Sequence, residues 1–127
     1  MITLKDVLRF HELSIKKFGG SLGLRDEGYL QSAIEIPSAK FGGEDLYPSP
    51  FEKAVAILES ILKNHPFVDG NNRTAFLACD ATLRLHNLIF TLSEDESYQF
   101  VINVATSQLS FEMVVDFLKS KSIPFNS

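Results

Sequence analysis

Residues 65–76 read HPFVDGNNRTAF, and this short stretch is the most informative part of the chain. Before it, apolar residues recur at helical spacing over residues 51–62, and after it a second apolar helix is predicted over residues 71–85. Pro66 prevents the first helix from continuing, because proline lacks the N–H group and disfavours helical geometry in the residue before it. We therefore predict two helices joined by a tight loop, with His65 at the end of the first.

The loop contains residue types that bind phosphate groups. A helix start exposes unpaired N–H groups and the positive end of the helix dipole, so it binds anions readily. Gly70 allows the backbone to approach a phosphate closely. The N–H groups of Asn71, Asn72 and Arg73 would then point at the anion. The guanidinium of Arg73 adds a permanent charge whose fork shape fits phosphate oxygens.

Asp69 and His65 supply the two remaining functions. Asp69 is the only carboxylate in the loop, which makes it the natural ligand for Mg²⁺ shared with substrate phosphates. His65 can act as a general base, a contribution of roughly 10²–10⁴-fold in rate. Each feature alone is ordinary, since Asp-Gly-Asn turns are common and a histidine can simply interact with a helix C-terminus. Together they indicate transfer of a phosphoryl or nucleotidyl group.

Composition limits the possible classes of protein. A chain of 127 residues is predicted to form a single domain, residues 1–127, and its 45% apolar and 22% charged residues are typical of a globular protein. The net charge of −4 gives no long-range positive field, so we expect no direct nucleic-acid binding. The chain has no apolar run of the ~20 residues that span a membrane, and its start does not resemble a signal peptide. We therefore expect a cytoplasmic protein that does not bind membranes.

Several other residues are predicted to be structural. Cys79, the only cysteine, is expected in the core and excludes an internal disulfide. His11 lies on an apolar helix face and is expected to be a hydrogen-bonded core residue, whereas His86 lies near a helix end. The acidic residues 94–96 are expected to favour a helix start rather than to bind a metal.

The remaining sequence predicts an all-α fold of about six helices, with the helix after the loop buried at the centre. The first helix follows Thr3, places Phe18 on its apolar face and stops at Gly19-Gly20. Residues 38–49 are predicted to be a loop rich in Gly and Pro, and residues 88–92 at most a short extended stretch. The other helices are predicted from Asp26 to Pro37, from Ser49 to Asn64, from Asn71 to Leu85 with Asn87 as a left-handed cap, after Ser93 and after Ser110.

The central loop resembles the signature of the Fic/Doc family, H-P-F-x-x-G-N-x-R. The matching residues are His65, Pro66, Phe67, Gly70, Asn71 and Arg73, with Asp69 at the usual acidic position. The continuation N-x-R-T-A at residues 71–75 resembles the small death-on-curing (Doc) toxins. Residues 18–34 (FGGSLGLRDEGYLQSAI) and 41–54 (FGGEDLYPSPFEKA) also resemble this group, so the resemblance covers most of the chain.

This resemblance implies an all-α enzyme with His65 as general base, Asp69 as Mg²⁺ ligand, and Asn71, Arg73 and the loop amides binding nucleotide phosphates. AMP-transferring members carry a second arginine where this chain has Phe76. That difference favours the Doc-like activity, in which a protein hydroxyl attacks the γ-phosphate of ATP. The resemblance also implies the translation factor EF-Tu as target and a Phd-like antitoxin whose tail packs in a groove on the toxin.

Asn72 leaves the activity open. Doc proteins commonly have lysine at this position and AMP-transferring relatives have glycine. Either nucleotide affinity falls, or another basic group compensates, or the activity has changed. AMP transfer and a catalytically silent binding protein therefore remain alternatives. The chain has no S/T-x-x-x-E/G-N motif of the family's inhibitory helix, so we expect control by a separate partner.

Overall fold

The computed structural model describes residues 1–125 and is built mainly of α-helices. In this part of the chain the helices are α1 (Leu4–Phe18), α2 (Glu27–Glu35), α3 (Pro50–Asn64), α4 (Asn71–Leu85), α5 (Glu94–Ala105) and α6 (Phe111–Lys121). The predicted all-α fold of about six helices is therefore confirmed. The single domain predicted for residues 1–127 includes residues 126 and 127, which lie outside the described residues.

Most helices begin where the sequence predicted, because a side chain accepts a hydrogen bond from the first turn. Capping boxes begin α1, α3 and α5, and single side-chain caps begin α2 and α6; the capping residues are Thr3, Ser49, Ser93, Asp26 and Ser110. The exception is α4, whose N-cap Gly70 offers no side chain. The first N–H groups of α4 are thus left without a side-chain partner.

Residues 1–125 also contain four short strands, whose pairing was not predicted. β1 (Lys40–Phe41) and β2 (Glu44–Asp45) form an antiparallel hairpin within the predicted loop 38–49, and the all-loop prediction there was wrong. Gly42 and Gly43 both have positive φ, which a two-residue hairpin turn requires. β3 (Leu88–Phe90) pairs with β4 (Ser122–Pro124) near the end of the described chain. Strands of two or three residues are too short to produce a periodic signal.

The third helix is the most deeply buried element. Val55, Ile57, Leu58 and Ile61 of α3 have no exposed surface. The following helix, α4, packs against α1, α3 and α5, as predicted for a central helix. Its opposite face is only half-buried, because an open cleft runs along it. The second helix ends at Glu35, and residues 36–38 form a 3₁₀ turn containing the predicted terminator, Pro37.

Two sequence predictions about side chains are confirmed. Cys79 is fully buried, and burial raises the pKa of its thiol far above the ordinary value, so it is not a nucleophile at neutral pH. His86 lies directly after α4, and Asn87 follows in the predicted left-handed conformation, φ 62°. Within residues 1–125, no helix is long and apolar enough to cross a membrane.

Candidate active site

His65 directly follows α3 in a left-handed conformation (φ 46°, ψ 62°), and its N–H donates to the Ile61 carbonyl at 3.1 Å. This conformation is uncommon for a residue other than glycine. Arg25 stabilises it from outside the helix. Its Nε donates to the His65 carbonyl at 2.7 Å, and its Nη2 donates to the Asn64 carbonyl at 2.6 Å. The imidazole is left exposed and lines the cleft.

The segment between α1 and α2 holds the loop through its backbone. The N–H groups of Arg25 and Asp26 both donate to the Pro66 carbonyl, at 2.7 Å and 3.0 Å. On the other side, the N–H of Val68 donates to the Gly23 carbonyl at 3.0 Å. Residues 23–26 therefore run beside the first half of the loop like a short strand and fix its path.

Buried side chains fix the loop on the side that faces the core. The side-chain amide of Asn71 donates to the Phe67 carbonyl at 2.9 Å and accepts from the Phe67 N–H at 3.0 Å. The Phe67 ring stacks on the His11 imidazole, with centroids 3.8 Å apart. His11 donates from Nε2 to the Asp69 carbonyl at 2.7 Å, which confirms it as a hydrogen-bonded core residue. Because its side chain faces inward, Asn71 can offer an anion only its backbone N–H.

Asp69 is fixed between the end of α1 and the start of α4. Its Oδ1 accepts from the Gly70 N–H at 2.8 Å, and its Oδ2 accepts from the Ser21 N–H at 3.1 Å. Each oxygen keeps a lone pair, and the side chain is exposed. Among residues 1–125, no three His, Cys, Asp or Glu side chains form a metal-binding group. The carboxylate thus fits Mg²⁺ as one ligand among several, the others coming from substrate phosphates or water.

Within residues 1–125, no acidic residue forms an ion pair with Arg73. The three ion pairs found within residues 1–125 involve other side chains. Instead, the guanidinium Cζ lies 3.5 Å from the centroid of the Phe18 ring, a cation–π contact. Phe18, predicted on the apolar face of α1, is 43% exposed and contacts Arg73 at the cleft. The positive charge of Arg73 is therefore available to an anion.

All the predicted site residues lie along one open cleft of about 1020 Å³. They are His65, Asp69, Gly70, Asn71, Asn72 and Arg73. Away from the loop the cleft walls are mainly apolar and come from α1, α4 and the region of α5; they include Phe10, Leu13, Phe76, Leu77, Leu92, Val101 and Ile102.

The sequence predictions missed the contribution of residues 17–26. This segment provides Lys17 and Phe18 at the cleft, the N–H of Ser21 for Asp69, and the side chain of Arg25. Helical periodicity cannot reveal these contacts, because they join positions about 40 to 55 residues apart. The resemblance of residues 18–34 to known relatives was the only signal in the sequence.

The family assignment follows from comparison with known proteins. The model of the Fic/DOC family matches residues 1–83, which include α1, the loop and most of α4. The chain therefore belongs to the Fic/DOC family. It is 36% identical over 99 residues to Toxin Doc of Mycolicibacterium smegmatis, with 76% of each chain covered. It is 26% identical over 118 residues to Protein kinase doc of Escherichia phage P1, covering 93% of this chain and 92% of the relative.

Proposed function

We propose that this protein is a Doc-like toxin of a toxin–antitoxin system that transfers the γ-phosphate of ATP to a hydroxyl group of a target protein. The observation that carries the proposal is that four features meet in one cleft. They are the exposed imidazole of His65, the fixed carboxylate of Asp69, the uncapped start of α4 and the guanidinium of Arg73, which forms no ion pair within residues 1–125. The relatives named Toxin Doc and Protein kinase doc support it.

The start of α4 binds the phosphates in this proposal. The N–H groups of Asn71, Asn72 and Arg73 donate to phosphate oxygens, and the guanidinium of Arg73 neutralises charge that develops during transfer. Contacts of this kind commonly contribute about 3–4 kcal/mol to transition-state stability. Mg²⁺ held by Asp69 and the phosphates would supply further charge neutralisation.

His65 acts as the general base. The imidazole takes the proton from the attacking hydroxyl, whose oxygen forms a bond to the γ-phosphorus of ATP. The bond from that phosphorus to the oxygen bridging the β- and γ-phosphates breaks, and ADP leaves. Because both proton transfer and bond formation depend on distance, the Arg25 hydrogen bonds that fix the His65 backbone also serve this step.

AMP transfer by the same loop is the alternative reaction. The hydroxyl would then attack the α-phosphorus, and pyrophosphate would leave. The half-buried Phe76 at the cleft stands where AMP-transferring members of the family carry a second arginine, so this chain offers one cation fewer there. Phosphate transfer is therefore the reaction we favour.

A labelling experiment separates these reactions. Purified protein is incubated with cell lysate and with ATP labelled at either the α- or the γ-phosphate. We expect label on protein only from the γ-phosphate, and a decrease of roughly 10²–10⁴-fold in the His65→Ala variant. His86→Ala is the matched control, because His86 lies at the far end of α4, away from the cleft, and should leave labelling unchanged.

Each other outcome contradicts a part of the proposal. Protein label from the α-phosphate would establish AMP transfer instead. If neither label is transferred and His65→Ala still arrests growth like the parent, the protein is a silent binding protein. The labelled band also tests the proposed target, since mass spectrometry should identify the translation factor EF-Tu.

The apolar part of the cleft supports the proposed partner, a Phd-like antitoxin. Leu13 is 48% exposed, and Phe10 and Leu77 are half-buried, so an amphipathic segment can bury its apolar face there. We expect a small protein encoded next to this gene to copurify with the His65→Ala variant and to abolish growth arrest by the parent. Absence of a short neighbouring reading frame would count against the toxin assignment.

A further inference from the structure

A second basic residue lies beside Arg73 in the cleft. Lys17, in the last turn of α1, lines the cleft, and its Nζ lies 5.1 Å from the centroid of the Phe18 ring. The guanidinium of Arg73 lies 3.5 Å from the same centroid. One exposed aromatic ring therefore holds two cations, whose separation cannot exceed the sum of these two distances.

Neither cation is neutralised in the described part of the chain. The ion pairs of residues 1–125 join Lys40 and Lys53 to Asp45, and Arg84 to Asp80. Two like charges held close together repel each other, and the negative face of a ring compensates only part of that cost. An anion that contacts both cations would offset the repulsion.

The cleft also determines where a polyanion would bind. Glu94 and Asp95, at the start of α5, also line the cleft, and their carboxylates repel phosphate. The basic part is defined by Lys17, Arg73 and the uncapped start of α4. A polyphosphate is therefore directed toward α1 and away from α5.

The side chains of the loop offer one permanent positive charge to a triphosphate. Arg73 is its only cation, and the neighbouring position, Asn72, is an exposed amide without charge. A polyphosphate has charged oxygens on successive phosphorus atoms, so it can contact two separate cations at once. Lys17 lies in a position to be the second of these cations.

We propose that Lys17 binds the polyphosphate of the nucleotide together with Arg73 and supplies the charge that Asn72 does not. This inference deepens the proposed function and rests on it. It makes α1 a wall of the nucleotide site, with Phe18 as the shared support that keeps both side chains over the cleft. The source of the second cation is then the first helix instead of the loop.

The experiment measures binding of Mg²⁺-ATP and of adenosine by calorimetry, in the His65→Ala background, which prevents turnover. We expect Lys17→Gln to weaken ATP binding by about tenfold, the size expected for loss of one charge-assisted hydrogen bond. Binding of adenosine, which has no phosphate, should not change. Lys16→Gln is the matched control, because Lys16 is an exposed lysine of the same helix turn that does not line the cleft.

Two further variants exclude a merely structural effect. Lys17→Arg should keep ATP affinity near the parent value. Adding Asn72→Lys to Lys17→Gln should restore affinity, because the loop then supplies the missing cation to the same phosphates. Equal ATP binding by Lys17→Gln and Lys16→Gln would overturn the role of Lys17 while leaving the proposed function intact. Failure of the starting protein to bind ATP at all would overturn both.

Discussion

Gly20 packs closely against the carboxylate of Asp69. A Cβ atom at this position would lie 2.6 Å from Oδ2 of Asp69, closer than any real contact of this kind. The residue also has φ +117°, a conformation that favours glycine. Gly20 is therefore needed for two reasons: it turns the chain after α1, and it leaves room for the Asp69 side chain beside the Ser21 N–H.

Replacing Gly20 by alanine should displace Asp69. We expect Gly20→Ala to reduce phosphate transfer by roughly 10²-fold, because a shift of about 1 Å in a catalytic group has effects of this size. Gly43→Ala is the control, since Gly43 also has positive φ, +85°, but a Cβ there meets nothing within 4 Å. Both variants should lose about 1–2 kcal/mol of unfolding free energy through backbone strain, measured by urea denaturation. An equal loss of activity in both would show that strain alone is responsible.

At the scale of elements, the site depends on hydrogen bonds between two connecting segments. One segment connects α1 to α2, and the other connects α3 to α4. The last carbonyls of a helix lack partners within the helix and carry the negative end of its dipole. Arg25 binds two of these carbonyls, at Asn64 and His65, and its charge opposes that negative end. The side chain of Arg25 thus both stabilises α3 and orients His65, the proposed general base.

We predict that Arg25→Gln lowers kcat by roughly 10²-fold, because the His65 backbone loses its external support. The KM for ATP should change little, since the phosphate contacts lie on α4. Arg25→Lys should be intermediate, because an ammonium group cannot copy the fork of two donors. Steady-state kinetics of the transfer reaction test this.

Arg84→Gln is the control for loss of an arginine, since Arg84 contacts Asp80 on the surface of its own helix at 3.0 Å. It should keep both kinetic constants. The prediction is contradicted if Arg25→Gln retains full kcat, or if its only effect is on the KM for ATP. In either case Arg25 would not act through the position of His65.

For the whole molecule, the pH dependence of stability should report the packing of α3 against α6. Glu59 on α3 is half-buried, and this burial, with a smaller contribution from Glu112 on α6, raises the pKa of its carboxyl above the ordinary 4.5, although Lys63 opposes the shift. The folded chain therefore binds more protons than the unfolded chain in a pH window that begins near 4.5 and ends just above the raised pKa of Glu59. The free energy of unfolding falls as the pH rises through that window.

Glu59→Gln removes this charge. We expect the variant to be more stable than the parent at pH 7, by roughly a few tenths of a kcal/mol because solvent screens a half-exposed carboxylate. The difference should shrink as the pH falls to 4, where the parent is increasingly protonated. Urea unfolding at both pH values measures it, with Glu44→Gln in the exposed hairpin as control. A constant difference at both pH values would show that charge is not the cause.

Local sequence information was enough to predict most of the helices. Capping residues fix the start of α3 at Ser49 and of α5 at Ser93, because a helix start needs acceptors for its free N–H groups. The hairpin of residues 40–45 was missed, since two-residue strands carry no periodic pattern. The loop chemistry was also readable from residues 65–73, because the relevant groups are close in sequence.

The sequence by itself determined the six helices of residues 1–125 and the set of loop residues, since both depend on interactions within a few positions of the chain. Only the tertiary structure decided that Asn71 turns inward, that Arg25 holds the His65 backbone, and that Lys17 shares the Phe18 ring with Arg73. The contact of Arg25 with His65 and the contact of Arg73 with Phe18 join segments far apart in the chain. They arise only when the buried core brings α1, α3 and α4 together, and no local pattern of residues encodes them.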